Sequence, residues 1–235
     1  TESKPYVYTE EQTIHATRGE IEDINGVPIV ENKLGFNVII QKASFPEDNE
    51  KANRVLLDIA NFLTGEGYDY FDSLPVSKTA PFEYTDSDES VLSYLKSSLG
   101  VNVYATAENC MDKFCVDYEI SDEYSPEEKR IIAGLRYEMK LRDFSLSNLF
   151  TLCEDIDIDT VSKIKEKSLH LPGIEILHHS EYIDRLIQNG RLKVAQNSGK
   201  YPYHDPCELG RGCGIYDEPR RIIESIGVLL EPTET

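Results

Sequence analysis

The sequence lacks any run of about 18 apolar residues, the length at which a membrane-spanning helix becomes a candidate. Its first residues, Thr1 to Pro5, also lack a basic stretch followed by an apolar one, so no secretory signal peptide is visible. We therefore expect a cytoplasmic protein with no direct membrane insertion. With 235 residues, 40% of them hydrophobic, the chain can form one large α/β domain or two small ones.

Basic residues are scarce. The chain has 24 Lys and Arg against 43 Asp and Glu, which gives a formal net charge of -19. A surface of this sign repels phosphate backbones and anionic lipid headgroups. We therefore expect no nucleic-acid partner, and we expect most acidic side chains simply to solvate the surface.

Cysteine is also infrequent, and its five positions lack the dense, even spacing of a secreted disulfide framework. The cysteines are Cys110, Cys115, Cys153, Cys207 and Cys213. In a reducing compartment such residues are either buried apolar side chains or ligands of metal and redox groups.

The spacing of apolar residues predicts an α/β fold, with a mainly parallel sheet and flanking helices. Asn25 and Gly26 form a turn pair suited to a β-hairpin, with a strand on each side. The elements predicted next are a strand over 36–42, a helix over 52–63, a helix over 86–100 and a strand over 101–107.

The second half begins with a helix signal. Ser125, Pro126 and Glu128 form a capping box for a helix that runs to about Arg142. Short helices are predicted over 145–168. The last third predicts a C-terminal βαβαβ unit, with strands over 174–180, 201–206 and 228–232 and helices over 181–190 and 218–227. Asp217 is expected to cap the last helix.

The loop before that last helix carries the candidate site. Cys207 and Cys213 lie near the predicted helix N-terminus, where the helix dipole favours the thiolate that binds iron or zinc. Gly210 and Gly212 would let a bound group approach the backbone, and Arg211 would add a compensating positive charge. We expect Cys207 to face the site and Cys213 to pack in the turn. The alternative is that both are buried structural cysteines beside a glycine turn, because Cys-x5-Cys is not a tight chelating pair.

Four short motifs in the last quarter of the chain occur in a recognisable order. They are His-His-Ser at 178–180, Tyr-His-Asp-Pro-Cys at 203–207, Leu-Gly-Arg at 209–211 and Tyr-Asp-Glu-Pro-Arg at 216–220. With these motifs, residues 171–232 resemble the cysteine-rich CCG-domain family. That family includes the catalytic subunits of heterodisulfide reductase and the iron–sulfur subunits of glycolate oxidase and anaerobic glycerol-3-phosphate dehydrogenase.

The resemblance implies that Cys207 is a ligand of an iron–sulfur cluster of the 4Fe-4S kind. Cys153 is a second metal-ligand candidate, since it stands in the stretch where the family has a Cys-x-x-Cys pair. The family's Cys-Cys-Gly triplet would come after the last residue, Thr235. We therefore expect the cluster to be incomplete in this chain alone, because such clusters normally need four thiolates.

This similarity also implies a function and a division of the chain. The function is that of an iron–sulfur redox or electron-transfer subunit. If the full protein carries the cluster, it is an oxidoreductase subunit of heterodisulfide reductase type. Its redox partner would be a flavin or iron–sulfur protein. The alternative is a cluster-free α/β interaction module or a fragment of such a protein; a zinc domain has less support because no short Cys/His pair is present. The predicted division is an α/β domain of unrecognised family over 1–120, a helical connector over 121–170 and a partial cysteine-rich domain over 171–235.

Overall fold

The computed structural model describes residues 21–22, 28–30, 35–203, 209–210 and 213–230. The chain divides into two compact units, Thr1–Lys33 and Leu34–Thr235. In the smaller unit, β1 (Ile21–Glu22) and β2 (Pro28–Val30) pair antiparallel. The strands predicted on either side of Asn25 and Gly26 are therefore present, and the turn itself lies outside the described residues.

The larger unit is a mixed α/β fold. Its elements are β3 (Phe36–Ile40), α1 (Asn49–Gly65), α2 (Glu89–Leu99), α3 (Ala107–Asp117), α4 (Pro126–Leu141), β4 (Phe150–Ile156), α5 (Ile158–Lys167), a 3-10 turn (Ser168–His170), β5 (Ile174–His178), α6 (His179–Gln188), β6 (Lys200–Pro202), α7 (Asp217–Ile226) and β7 (Val228–Leu230). Among the residues that the structure describes, no helix is both long enough and apolar enough to cross a lipid bilayer.

The main sheet has the order β4-β3-β5, and its central strand runs antiparallel to both neighbours. All five residues of β3 are buried, as expected for a strand that is covered on both faces. The prediction of a mainly parallel sheet therefore needs correction. Apolar alternation reports which residues are buried but not which way a distant partner strand runs, and β4 and β5 come from much later in the chain.

The predicted C-terminal order βαβαβ is present as β5, α6, β6, α7 and β7, but these strands do not share one sheet. β5 pairs with β3, whereas β6 and β7 form a separate parallel pair. Asp217 is the first residue of α7 and not its cap, since the capping position belongs to Tyr216, whose side chain makes no capping hydrogen bond. The prediction for Asp217 was one residue off.

Two segments differ from their predicted structure. Residues 101–106 form turns instead of a strand: Tyr104 N–H donates to Asn102 Oδ1 at 2.9 Å, and the Tyr104 side chain is 90% exposed. The segment 145–168 was predicted as helices, but it contains β4, whose first four residues are buried, followed by α5. The domain boundaries at 120 and 170 stay predictions, although β4 contributes directly to the sheet that holds β3.

The larger unit has two hydrophobic clusters. The sheet core packs α1 and α4 against the three-stranded sheet, with Leu56, Ile59 and Phe150 fully buried. The helical core lies among α2, α3 and α4, with Leu95, Phe114 and Ile132 fully buried. Burying one such side chain contributes about 1.5–3 kcal/mol, so each cluster is a substantial source of stability. α4 contributes to both clusters and therefore links them.

Three helix ends of the larger unit have clear capping contacts. Asp48 caps α1 by accepting a hydrogen bond from Lys51 N–H at 2.9 Å. Ser125 and Glu128 form the predicted capping box of α4, and Gly100 ends α2 in the left-handed conformation with φ of 66°. The sequence predicted the ends at Ser125 and Gly100, whereas the cap at Asp48 is known from the structure alone.

A buried ion pair fastens residues 72–76 to α4. Arg130, only 1% exposed, donates from Nη1 to both carboxylate oxygens of Asp72 at 3.0 and 3.1 Å. Its Nε and Nη2 donate to the carbonyl oxygens of Leu74 and Val76. A Cβ at Gly134 would lie 2.5 Å from Arg130 Nη1, so this close approach requires glycine at that position.

Candidate functional site

The described part of the glycine loop is a tight turn. Gly214 N–H donates to Gly210 O at 2.8 Å, and Ile215 N–H donates to Leu209 O at 3.1 Å. A Cβ at Gly210 would lie 2.6 Å from Cε1 of the Tyr216 ring, so a side chain at 210 would force that ring to move. Three of the candidate residues, Cys207, Arg211 and Gly212, lie outside the described residues.

Both ends of this loop are tied to α7. Arg220 donates to Tyr216 O at 2.8 Å and lies over the ring of Tyr203, 5.4 Å from its centroid. Arg221 pairs with Asp184 of α6 at 2.7 Å, and that carboxylate is nearly buried. The Arg221–Asp184 pair thus connects α7 to α6, and Arg220 connects α7 to Tyr203.

Cys213 is half-buried and packs against the sheet core. Cys153 belongs to the same core: it lies on β4 opposite Val38 and is 2% exposed. Burial, reinforced by the negative charges of Glu154 and Asp155, raises the pKa of the Cys153 thiol to about 11. Cys153 is therefore a neutral thiol at pH 7, and a metal would have to displace its proton in order to bind.

Cys110 and Cys115 lie on α3 and belong to the helical core instead. The Cys110 Sγ lies 3.4 Å from the hydroxyl of Tyr84, and burial raises the pKa of both thiols. Across the part of the chain that the structure describes, no three His, Cys, Asp or Glu side chains converge as metal ligands. The described residues therefore do not by themselves fit an iron–sulfur cluster, which needs four thiolates.

Sequence reasoning missed a group of polar side chains at one end of the main sheet. β4 and β5 run in the same direction and both end beside the start of β3, so Asp155 and His179 come together, with Oδ1 and Nε2 3.4 Å apart. A Cβ at Gly35 would lie 2.6 Å from Asp155 Oδ1, so a larger residue there would push the exposed Asp155 carboxylate away from its present position. The missed signal was that polar residues occur at the ends of two strands, Asp155 within the last residues of β4 and His179 directly after β5.

His178 at this end of the sheet has a structural role. Its Nδ1 accepts a hydrogen bond from Ser180 N–H at 3.2 Å, and its own N–H donates to Glu181, which closes the N-terminus of α6. Burial, together with the neighbouring His179 charge, lowers the pKa of His178 to about 4. The ring is therefore neutral at pH 7 and is used as a helix cap.

Comparison with known proteins gives two separate results. Residues 13–190 match the family model of the penicillin-binding protein dimerisation domain. This match covers well over half of the chain, and the chain belongs to that family.

A shorter stretch is similar to iron–sulfur oxidoreductases. It is 43% identical over 56 residues to a probable membrane-anchored ferredoxin of Chromohalobacter salexigens, covering 23% of this chain and 8% of that protein. It is 38% identical over 53 residues to a subunit of the dihydromethanophenazine:CoB–CoM heterodisulfide reductase of Methanosarcina mazei, covering 22% and 13%. It is 39% identical over 62 residues to the probable iron-sulfur-binding oxidoreductase FadF of Bacillus subtilis, covering 26% and 9%. The chain thus spans only a small fraction of the length of these relatives.

Proposed function

We propose that this chain is part of an iron–sulfur redox subunit of heterodisulfide reductase type. The observation that supports this most is the 36–43% identity to iron–sulfur oxidoreductases over about a quarter of the chain. Cys207, in the His-Asp-Pro-Cys motif, is the proposed cluster ligand. The partner in this proposal is a flavin or iron–sulfur protein that exchanges electrons with the subunit.

The other proposed contacts follow from the fold. Cys153 belongs to the sheet core and Cys213 packs against it. We propose these two described cysteines as the further candidate ligands beside Cys207. Arg211 and Gly212 are proposed to border the bound group, and Gly210 to hold the turn through its contact with Tyr216. Cys110 and Cys115 take no part, because they pack in the helical core.

Anaerobic reconstitution with iron and sulfide tests the proposal, with bound iron, visible absorption and EPR as readouts. We expect iron binding that falls in Cys207→Ser and is unchanged in Cys115→Ser, a half-exposed cysteine of the helical core. We expect the bound iron to remain below that of a complete cluster. Iron binding that is equal in wild type and Cys207→Ser would contradict the ligand assignment.

Alkylation of the metal-free protein gives a second test of the same loop. Cys207 should react faster than Cys213 near neutral pH, because Cys213 is half-buried against the sheet core. Peptide mass spectrometry measures both rates in one sample. If Cys213 reacts first while the fold is intact, Cys207 is not the exposed ligand.

A second candidate function is supported by the family match over residues 13–190. We propose that this part acts as a protein–protein interaction module, independent of any cluster. Light scattering of the metal-free chain over a range of concentrations should then show self-association. A mass that stays monomeric at every concentration would contradict self-association through this module.

A further inference from the structure

A small pocket on the larger unit combines positive charge with aromatic walls. It has a volume of about 180 Å³ and lies where α4 meets the end of α3 and the segment after β3. Its cationic lining residues are Lys42, Arg136 and Lys140. Its aromatic lining residues are Phe45, Tyr118 and Phe144. We call this site the cationic pocket.

The charge of this pocket is opposite to that of the chain as a whole, whose formal net charge is -19. Within the described residues, all three cations have neutral partners only. Lys42 Nζ lies 5.6 Å from the centroid of the Phe144 ring, and Lys140 donates to the carbonyl oxygen of Ser98. Other cations of the larger unit, such as Arg130 and Arg142, do pair with carboxylates. The cationic pocket therefore brings three positive charges together without a carboxylate among their described partners.

Arg136 is the best fixed of the three. Its Nε and Nη2 donate to Oδ1 of Asn53 at 3.0 and 2.7 Å, and Asn53 is itself held by its bond to Tyr118 O at 2.9 Å. The guanidinium also lies 5.0 Å from the centroid of the Tyr118 ring. A carboxylate enters this network only indirectly, since Glu119 accepts a hydrogen bond from Asn49. The orientation of Arg136 is therefore set before any ligand arrives.

One nitrogen of that guanidinium, Nη1, has no hydrogen-bond acceptor among the described residues. Nε and Nη2, in contrast, are both satisfied by amide and carbonyl oxygens. Burial lowers the pKa of Arg136 to about 10, which still leaves it cationic at neutral pH. A partly buried cation without a counter-charge has lost hydration that no protein carboxylate replaces. A bound anion would supply that missing charge.

We propose that the cationic pocket binds a small organic carboxylate. The carboxylate group would accept hydrogen bonds from Arg136 and the two lysines, and the apolar part of the ligand would lie against Phe45 and Phe144. A pocket below the 300–1,000 Å³ range typical of drug-sized ligands suits a compact molecule. The aromatic walls favour an organic anion over an inorganic one. This proposal involves neither Cys207 nor any metal, so it is independent of the proposed redox role.

Calorimetric titration of the full chain with benzoate, acetate and inorganic phosphate tests the proposal. Benzoate should bind most tightly, and the double variant Lys42→Gln/Lys140→Gln should weaken it about tenfold or more, because charge-assisted hydrogen bonds are lost. Lys167→Gln is the matched control: Lys167 also lies over an aromatic ring, that of Phe62 at 5.0 Å, but lines a different pocket. Benzoate affinity should be unchanged in that control.

Arg136→Gln adds a second comparison, with circular dichroism as a check of folding. If this variant unfolds, the lysine double variant decides the question alone, since both lysines are at least partly exposed. The proposal is overturned if benzoate does not bind at millimolar concentration, or if its affinity is unaffected by the double variant. Phosphate binding as tightly as benzoate would overturn the assignment to an organic anion.

Discussion

The buried pair of Asp72 and Arg130 permits a quantitative prediction, because its two side chains are only 3% and 1% exposed. Asp72→Asn keeps the size of the side chain and removes its charge. Arg130 would keep its hydrogen bonds to the carbonyl oxygens of Leu74 and Val76, but its positive charge would have no counter-charge in the interior. Breaking a buried ion pair from one side costs about 3–5 kcal/mol.

That loss is a large part of the free energy of unfolding of an ordinary domain, about 5–15 kcal/mol. Urea unfolding followed by far-UV circular dichroism at neutral pH measures it directly. Two controls separate the buried charge from surface effects. Lys78→Gln removes the exposed second partner of Asp72, and we expect it to cost about 1 kcal/mol or less. Asp122→Asn breaks an exposed pair with Lys129, and we expect no resolvable change.

The reasoning is refuted if Asp72→Asn unfolds within about 1 kcal/mol of the wild type with the same urea dependence, since a change below that size is typical of surface pairs. It is also refuted if Lys78→Gln is as destabilising as Asp72→Asn. That result would show that the exposed lysine, and not the buried guanidinium, carries the interaction.

Three further predictions concern single side chains. Ser125→Ala removes the cap of α4 and should lower the free energy of unfolding by about 1 kcal/mol in the same urea assay; an unchanged midpoint would contradict the capping role. The pKa of His178 falls from 6.5 to about 4 on folding, so the unfolded chain binds more protons between these values and stability is lost as pH falls through this range. His178→Gln should therefore lose less stability than the wild type between pH 7 and pH 4, and an equal loss would count against this account. Cys153, with a thiol pKa of about 11, should react with iodoacetamide more slowly than the half-exposed Cys115, and faster labelling of Cys153 would show that the sheet core does not shield its thiol.

Elements with local signals were predictable from the sequence, and elements that depend on distant partners were not. Ser125 and Gly100 mark helix ends through hydrogen bonds made within a few residues, so the sequence nearby contains the necessary information. Residues 101–107 are rich in strand-forming types, but the side chain of Asn102 bonds the backbone of Tyr104 and forms a turn instead. α3 then begins one residue after its cap, Thr106, which was not recognised as a helix start.

The sheet and the candidate site show the same limit. The direction of β4 relative to β3 depends on pairing across more than a hundred residues, and no local pattern encodes it. The glycine loop was recognised as a turn from its composition, but its partner, the Tyr216 ring against Gly210, could not be deduced from spacing. The meeting of Asp155 and His179 was missed for the same reason, because it depends on which strands are neighbours.

The position of β3 at the centre of the main sheet has a consequence for the order of events during synthesis. Both of its partners, β4 and β5, follow it by more than a hundred residues. During synthesis, β3, which is fully buried in the folded protein, therefore has no partner strand until β4 and β5 leave the ribosome. The helices α2, α3 and α4 are close neighbours in sequence and can assemble the helical core earlier. An apolar strand that stays exposed for so long is a site where nascent chains associate with one another. Expression at reduced translation rate, or with a chaperone that shields apolar segments, should therefore change the yield of this protein more than its final stability.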